Sequence, residues 1–324
     1  MTEPTAAPPG GRVRAFDEPF TRAGLAVLRA VARLPYQAVR RIGEGVGTLA
    51  WLLAGSRRRI TLTNLRLCFP AWSEAERRRV AHAHFRYFMR SFFERFIFWQ
   101  APPERIRALC RLEGLEHFEA ERGRPMILLA PHFVGIDAGG MRFQLELPLA
   151  SMYGAQKSRA LTEAMTRGRM RFNGARMLLR TEGLRPAIKV LRDGVPFYFL
   201  PDMDLGARDA LFVPFFGVPA ATVTSVARLA RLTRAVVVPC VTSMHDDGYV
   251  VRFYPAWHDF PGDDLHEATR RMNAFIEERV LEMPAQYLWS HKRFKTRPPG
   301  EPDLYGRDGN GNGSDGGSDG GSAG

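Results

Sequence analysis

Cysteine is scarce in this chain of 324 residues, which has only Cys68, Cys110 and Cys240. They are odd in number, far apart and without histidine at ligand spacing, so neither a disulfide framework nor a zinc site is expected. Free thiols fit a reducing, cytoplasmic compartment. A secretory signal is missing as well, because the N-terminus has no apolar run ending in a small-residue cleavage site. Long apolar runs are also missing. Between Phe20 and Gly55 the chain is apolar but interrupted by Arg22, Arg29, Arg33, Arg40 and Arg41. Its longest uncharged run there, Gly45 to Ser56, falls short of the roughly 20 residues that a membrane-spanning helix needs. No Walker or dinucleotide glycine pattern occurs, and GEGVG at 43–47 follows no strand, so it is not a phosphate loop. Nor is there a G-x-S-x-G elbow, zinc-finger spacing or ribonucleoprotein-type aromatic motif. Nucleotide-driven chemistry, elbow-type hydrolysis and nucleic-acid binding therefore lack support as the main function. Acidic residues are in the minority, 34 against 46 Lys and Arg, a formal charge of +12. That balance favours an anionic partner: nucleic acid, an anionic lipid surface or an acidic carrier.

With 45% hydrophobic residues the chain can bury a sizeable core, as one large domain or one domain with an appended helical part. Residues 1–15 and 306–324 have the composition of loose ends and are left out of the fold. A basic, apolar helical segment over 16–56 that cannot span can lie in a membrane interface, its arginines reaching the headgroups; the alternative is a pair of helices packed on the body. Residues 73–99 read as one long helix. Ser73 with Glu76 forms a capping box, and Phe85, Phe88, Phe92, Phe96 and Trp99 recur on one face. That face is a core stripe or the wall of an acyl-chain groove. From residue 124 short apolar runs alternate with amphipathic segments, the pattern of an α/β layer fold. Strands are expected at Pro125–Ala130, Ala150–Tyr153, Val195–Leu200, Ala235–Val241 and Tyr249–Tyr254. Helices are expected at 160–172, 184–193, 222–233 and 264–282.

Three segments could do chemistry. In LLAPHFVGIDAGG, 128–140, a strand ends at Pro131, His132 follows, and Asp137 lies five residues on. Histidine suits the deprotonation of a hydroxyl during acyl transfer, because its ordinary pKa lies near working pH, and a carboxylate on its far ring nitrogen would fix the tautomer. The spacing alone is weak: the composition gives roughly 0.8 such matches by chance, and His258 to Asp263 is a second. What separates them is context, since the first lies at a strand's C-terminal end, where α/β sheets place ligands. In FLPDMDLG, 199–206, Asp202 and Asp204 fit an orienting carboxylate, a divalent-metal pair or a strand-end turn. In TRGRMRF, 166–172, Arg167, Arg169 and Arg171 fit a solvated basic face or a phosphate-binding arginine, and HKRFKTRP at 291–298 raises the same choice.

Taken in order, these segments resemble the secondary (late) acyltransferases of bacterial lipid A biosynthesis, the lauroyl/myristoyl transferase group. The resemblance runs from about Arg57 to Tyr305: RRRITLTNLRLCFP at 57–70, PHFVGID at 131–137, RGRMRF at 167–172, LPDMDLGARDALFVPFFG at 200–217 and PAQYLWSHKRFKTRP at 284–298. It implies an α/β fold of glycerolipid acyltransferase type, a central mixed sheet flanked by helices, with an N-terminal membrane-interface helical segment and a transferase domain over 57–305. It implies a cytoplasmic-face, inner-membrane enzyme that moves an acyl chain from acyl carrier protein to the 3-hydroxyl of a hydroxyacyl chain on a lipid A precursor. The resemblance carries over His132 as general base with Asp137 as its partner, and Arg169 and Asp202 as residues that shape the site. No metal, other cofactor or nucleic-acid partner is expected. Two departures stand out. Asp137 replaces the family's usual Glu, which leaves a phospholipid or other glycolipid acceptor open, and Tyr153–Lys157 lacks the family's tyrosine-arginine-proline segment. The competing readings are a metal-dependent glycosyltransferase built on Asp202 and Asp204 and a basic membrane scaffold without activity.

Overall fold

A computed structural model of the chain describes residues 17–154 and 158–306. The two ends lie almost wholly outside the described residues, as does Ala155–Lys157. Four helices come first: α1 (Asp17–Val31), α2 (Tyr36–Leu53), α3 (Gly55–Cys68) and α4 (Glu74–Phe98). The layered part follows as α5 (Pro103–Leu109), β1 (Cys110–Glu113), α6 (Leu115–Glu119), β2 (Met126–Leu129), α7 (Ile136–Phe143), β3 (Ala150–Tyr153), α8 (Arg159–Arg169) and β4 (Arg176–Leu179). It continues with α9 (Arg185–Arg192), β5 (Phe197–Phe199), β6 (Ala210–Phe215), β7 (Val218–Val223), α10 (Ser225–Thr233), β8 (Val236–His245), β9 (Gly248–Phe253) and α11 (Leu265–Glu282).

Seven strands form one mixed sheet in the order β1-β9-β8-β2-β5-β3-β4, parallel throughout except between β8 and β9. This is the expected α/β architecture. The central strand β2, MILL, is buried along its whole length, as a strand covered by helices on both faces must be. All five expected strands and the four later helices form, β3 with the expected ends and the others with shifted ones. The strands that went unforeseen in the sheet are its two edges, β1 (CRLE) and β4 (RMLL). Edge strands are short and charged, so they carry no continuous apolar run to read. The hairpin β6–β7 stands apart and pairs Pro214 with Pro219, residues suited to a two-stranded hairpin in which each strand is an edge. Its second strand takes Thr222 and Val223, so the helix expected from 222 begins only at Ser225.

Ser73 caps α4 as expected, its hydroxyl accepting the Glu76 amide at 3.1 Å. Helix α4 packs against α2, which approaches closely through Gly43 and Gly47 and so gives the glycines of GEGVG a packing role. On the same seam, buried Arg90 donates to Glu94 at 2.7 Å and to the Tyr36 hydroxyl at 2.6 Å, joining α2 to α4. Helix α1 docks on α8, where Glu18 accepts the amides of Arg159 and Ala160 at 2.8 and 3.1 Å. Among the described residues no helix is long and apolar enough to cross a membrane.

Candidate active site

Strands β2 and β5 run parallel with Leu129 opposite Phe199. His132 and Asp202 each lie three residues beyond that pair, so register alone brings them together. The backbone keeps its pairing past the strand ends, with the Ala130 amide bonded to the Phe199 carbonyl at 2.9 Å. His132 Nδ1 then donates to Asp202 Oδ1 at 2.7 Å, while the His132 amide donates to Asp202 Oδ2 at 2.9 Å. Burial alone would push the Asp202 carboxyl up; the charge of the His132 ring and the two hydrogen bonds to His132 outweigh it and hold it below its usual range. With Asp202 ionised and Nδ1 protonated, His132 Nε2 is the ring nitrogen left for a substrate.

Asp137 does not fill the place that its spacing suggested. Helix α7 begins at Ile136, so Asp137 sits in the first helical turn and bonds away from the histidine. It accepts from Arg169 Nε at 2.7 Å and pairs with Arg95 at 3.4 Å. Burial opposes its charge, but the two guanidinium groups hold its carboxyl down at about 2. The carboxylate on the histidine is Asp202. Arg169 meets the histidine loop only at one remove, by bonding Asp137 in the first turn of the helix that follows it. The other arginines of 166–172 diverge, Arg167 lying on α8 and Arg171 beyond its end. Arg167 is exposed, and Arg171 donates to the carbonyls of Phe98 and Ala101 at 3.1 and 2.9 Å.

Asp204 is spent on structure: its carboxylate accepts the Thr296 amide at 2.6 Å, the Thr296 hydroxyl at 2.7 Å and the Gly206 amide at 3.0 Å. With Asp202 on His132, neither carboxylate of the pair is free to serve as the glycosyltransferase reading requires. The basic segment 291–298 is largely internal as well. Arg293 donates to the Ala221 carbonyl and the Thr222 hydroxyl at 2.9 and 2.7 Å, and Arg297 to the Pro219 carbonyl at 2.7 Å, so both clamp β7. His258, the accidental match, is exposed and pairs with Glu121 at 3.2 Å.

The histidine loop is braced by a partner that spacing could not reveal, the segment after α11. Phe133 forms an antiparallel bridge with Tyr287, the Leu288 amide donates to the His132 carbonyl at 3.0 Å, and the Val134 amide to the Gln286 carbonyl at 2.8 Å. Asn64 of α3 holds the same segment, its side-chain amide donating to the Trp289 and His291 carbonyls at 2.7 Å each. Two sequence signatures more than two hundred residues apart are thus one structural joint.

Two cavities flank this joint. One, of about 320 Å³, is lined by His132, Tyr153, Leu200, Met203 and the exposed Arg180 and Arg208. The other, of about 670 Å³, is walled by Phe85, Phe88 and Met89 of α4, by Met203 and Leu288, and by His84 and His291. The aromatic face of α4 is therefore both core and cavity wall, with Phe96 and Trp99 buried further along.

The model of a family described as bacterial lipid A biosynthesis acyltransferase matches residues 12–296. The chain is 35% identical over 292 residues to a lipid A biosynthesis lauroyltransferase of Escherichia coli (strain K12), covering 88% of this chain and 94% of that protein. It is 32% identical over 289 residues to a lipid A biosynthesis myristoyltransferase of the same strain, covering 88% and 89%. A crystal structure of the 1-acyl-sn-glycerophosphate acyltransferase of Thermotoga maritima aligns with 75% of this chain and 97% of that one, at 16% identity and a TM-score of 0.38.

Proposed function

The chain belongs to the bacterial lipid A biosynthesis acyltransferase family, and from that premise we propose how it works. It is an acyltransferase of lipid A biosynthesis. In this proposal the donor is the thioester of acyl carrier protein, and the acceptor is the 3-hydroxyl of a hydroxyacyl chain on a lipid A precursor. His132 Nε2 takes the hydroxyl proton as the oxygen attacks the thioester carbon. The resulting oxyanion collapses, the C–S bond breaks, and the thiol leaves with that proton. Asp202 fixes the ring tautomer and stabilises the imidazolium, the roles the aspartate plays in a serine-protease triad, with the substrate hydroxyl in the place of the serine. Arg169, Asp137 and Arg95 act behind it as a charged brace that seats α7.

The observation that carries this reading is the 2.7 Å bond from His132 Nδ1 to Asp202 at the ends of two neighbouring parallel strands, beside a cavity. Arg180 and Arg208 on that cavity, and the overall charge of +12, suit an acidic carrier. The proposed location is the cytoplasmic face of the inner membrane, with 16–56 as the membrane-associating segment and 57–305 as the transferase domain. Among the described residues, six of the ten exposed large apolar side chains, Phe20, Val27, Leu34, Leu49, Leu52 and Leu53, fall in the first segment, which supports a lipid-facing edge.

The test is transfer of acyl groups by the purified protein from acyl carrier protein to a lipid A precursor, followed by mass spectrometry. The wild type should add one acyl chain, and His132→Ala should add none. Full activity in His132→Ala refutes the base assignment. Transfer to a lysophospholipid instead of the lipid A precursor refutes the acceptor.

A further inference from the structure

The loop after β5 grips two histidines by alternate residues. Asp202 holds His132, and two residues on, the Asp204 amide donates to His291 Nε2 at 3.0 Å. Met203 between them lines both cavities. The second strand of the joint holds the same pair: the Leu288 amide bonds the His132 carbonyl, and His291 lies three residues further on, its own carbonyl held by Asn64 at 2.7 Å. The two imidazoles are therefore set at a fixed spacing by one frame.

Both rings carry their proton on Nδ1, but the frame holds opposite nitrogens: His132 Nδ1 donates to Asp202, whereas His291 Nε2 accepts the Asp204 amide. The acceptor role of His291 Nε2 toward a main-chain amide leaves its ring proton on Nδ1. Burial, and then the charges of His132 and Arg293, pull its pKa down to about 4, so the ring is neutral at working pH. A neutral imidazole cannot compete with His132 for the substrate's proton, but its N–H remains a good hydrogen-bond donor. His291 lines the larger cavity, which shares Met203 with the cavity beside His132. The proposed reaction needs such a donor. As the hydroxyl attacks, the thioester carbonyl oxygen gains a full negative charge, and neither the accepting His132 Nε2 nor Asp202 can donate to it.

We propose that His291 Nδ1–H donates a hydrogen bond to the thioester carbonyl oxygen as that oxygen becomes an oxyanion. This rests on the reading of His132 as the general base. The acceptor's proton passes to His132 Nε2, the C–O bond forms while the carbonyl π pair moves to oxygen, and His291 holds that oxygen without giving up its proton. On collapse the pair returns, the C–S bond breaks, and the thiolate takes the proton from His132. Aimed at charge that develops only in the transition state, the donor acts on kcat and hardly on KM.

Two substitutions separate this role from a purely structural one. The amide nitrogen of Asn reaches the place of His Nδ1, whereas the amide oxygen of Gln reaches the place of His Nε2. His291→Gln therefore keeps an acceptor for the Asp204 amide and loses the donor, and His291→Asn does the reverse. With acyl carrier protein thioester and lipid A precursor as substrates, His291→Gln should lower kcat about 100- to 1000-fold at unchanged KM, and His291→Asn should stay within about tenfold of wild type. Melting temperatures of both variants are measured alongside. A fully active His291→Gln with an impaired, less stable His291→Asn makes the residue a mere brace and overturns the proposal, as do equal losses in both. His132→Ala in the same assay reads the base assignment separately, so that an inactive His132→Ala beside a fully active His291→Gln refutes the donor alone.

Discussion

At the scale of single residues, the two aspartates of the site have different partners, and Asp137, the one that spacing from His132 suggests, is not the one that holds the ring. Asp202 makes two bonds to His132, whereas Asp137 serves two arginines. Their replacement should differ in kind. Asp202→Asn removes the charge that balances the imidazolium and frees the wrong tautomer, so kcat should fall by about 10²- to 10⁴-fold with little change in melting temperature. Asp137→Ala leaves Arg169 and Arg95 facing each other in a site where the carboxylate is only 9% exposed. It should cost about 3–5 kcal/mol of stability, read by denaturant unfolding. Equal effects of the two variants on both measures would refute this division. The place of His132 at a strand end was legible in the sequence. Asp202 was legible as an orienting carboxylate only among other readings, because it is seventy residues away and reaches His132 only through the register of β2 and β5.

Among the elements, the pairing of α2 with α4 is the most exposed to test. A Cβ at Gly47 would lie 2.5 Å from Arg86 Cα and 2.6 Å from the Phe85 carbonyl oxygen, and one at Gly43 would lie 2.6 Å from Arg90 Cα. These are main-chain atoms of a regular helix and cannot turn aside, so even alanine must push the helices apart. Gly43→Ala and Gly47→Ala should each cost about 1–3 kcal/mol, seen as a lower melting temperature in calorimetry. An unchanged melting temperature would show that the helices are not in contact there. The same helices carry Ala50, Phe85 and Phe88 to the larger cavity, so the glycines also set its width. Helix α7 was hidden from sequence reading by Gly139 and Gly140, both poor helix formers, and burial of Ala138, Met141 and Phe143 supports it in the fold.

For the whole molecule, charge and exposed apolar surface point the same way. Leu49, Leu52 and Leu53 are 52%, 63% and 74% exposed at the end of α2, and Arg57, Arg58 and Arg59 follow at once. An edge of this kind enters the apolar boundary of a bilayer while its arginines meet anionic headgroups. Burying each leucine is worth roughly 1.5–3 kcal/mol, so Leu52→Asp with Leu53→Asp should weaken binding to phosphatidylglycerol vesicles at least about tenfold in a sedimentation assay. Binding of the wild type should also weaken as salt rises. Vesicle binding that is unaffected by the double substitution would move the lipid-facing edge elsewhere.

The sequence by itself determined the layered α/β class, the five inner strands, the long capped helix, the histidine at a strand end and the ordered segments that mark the family. These are local: periodicity, caps and strand-end context act within a few residues of chain. The tertiary structure alone decided which carboxylate holds His132, that Asp137 belongs to an arginine pair, and that the basic C-terminal segment clamps β7 where a solvated face was one of the readings. Each of those depends on strand register or on helix packing between residues far apart in the chain. A hydrogen bond extends only about 3 Å. Distance along a sequence says nothing about which groups will come within that reach.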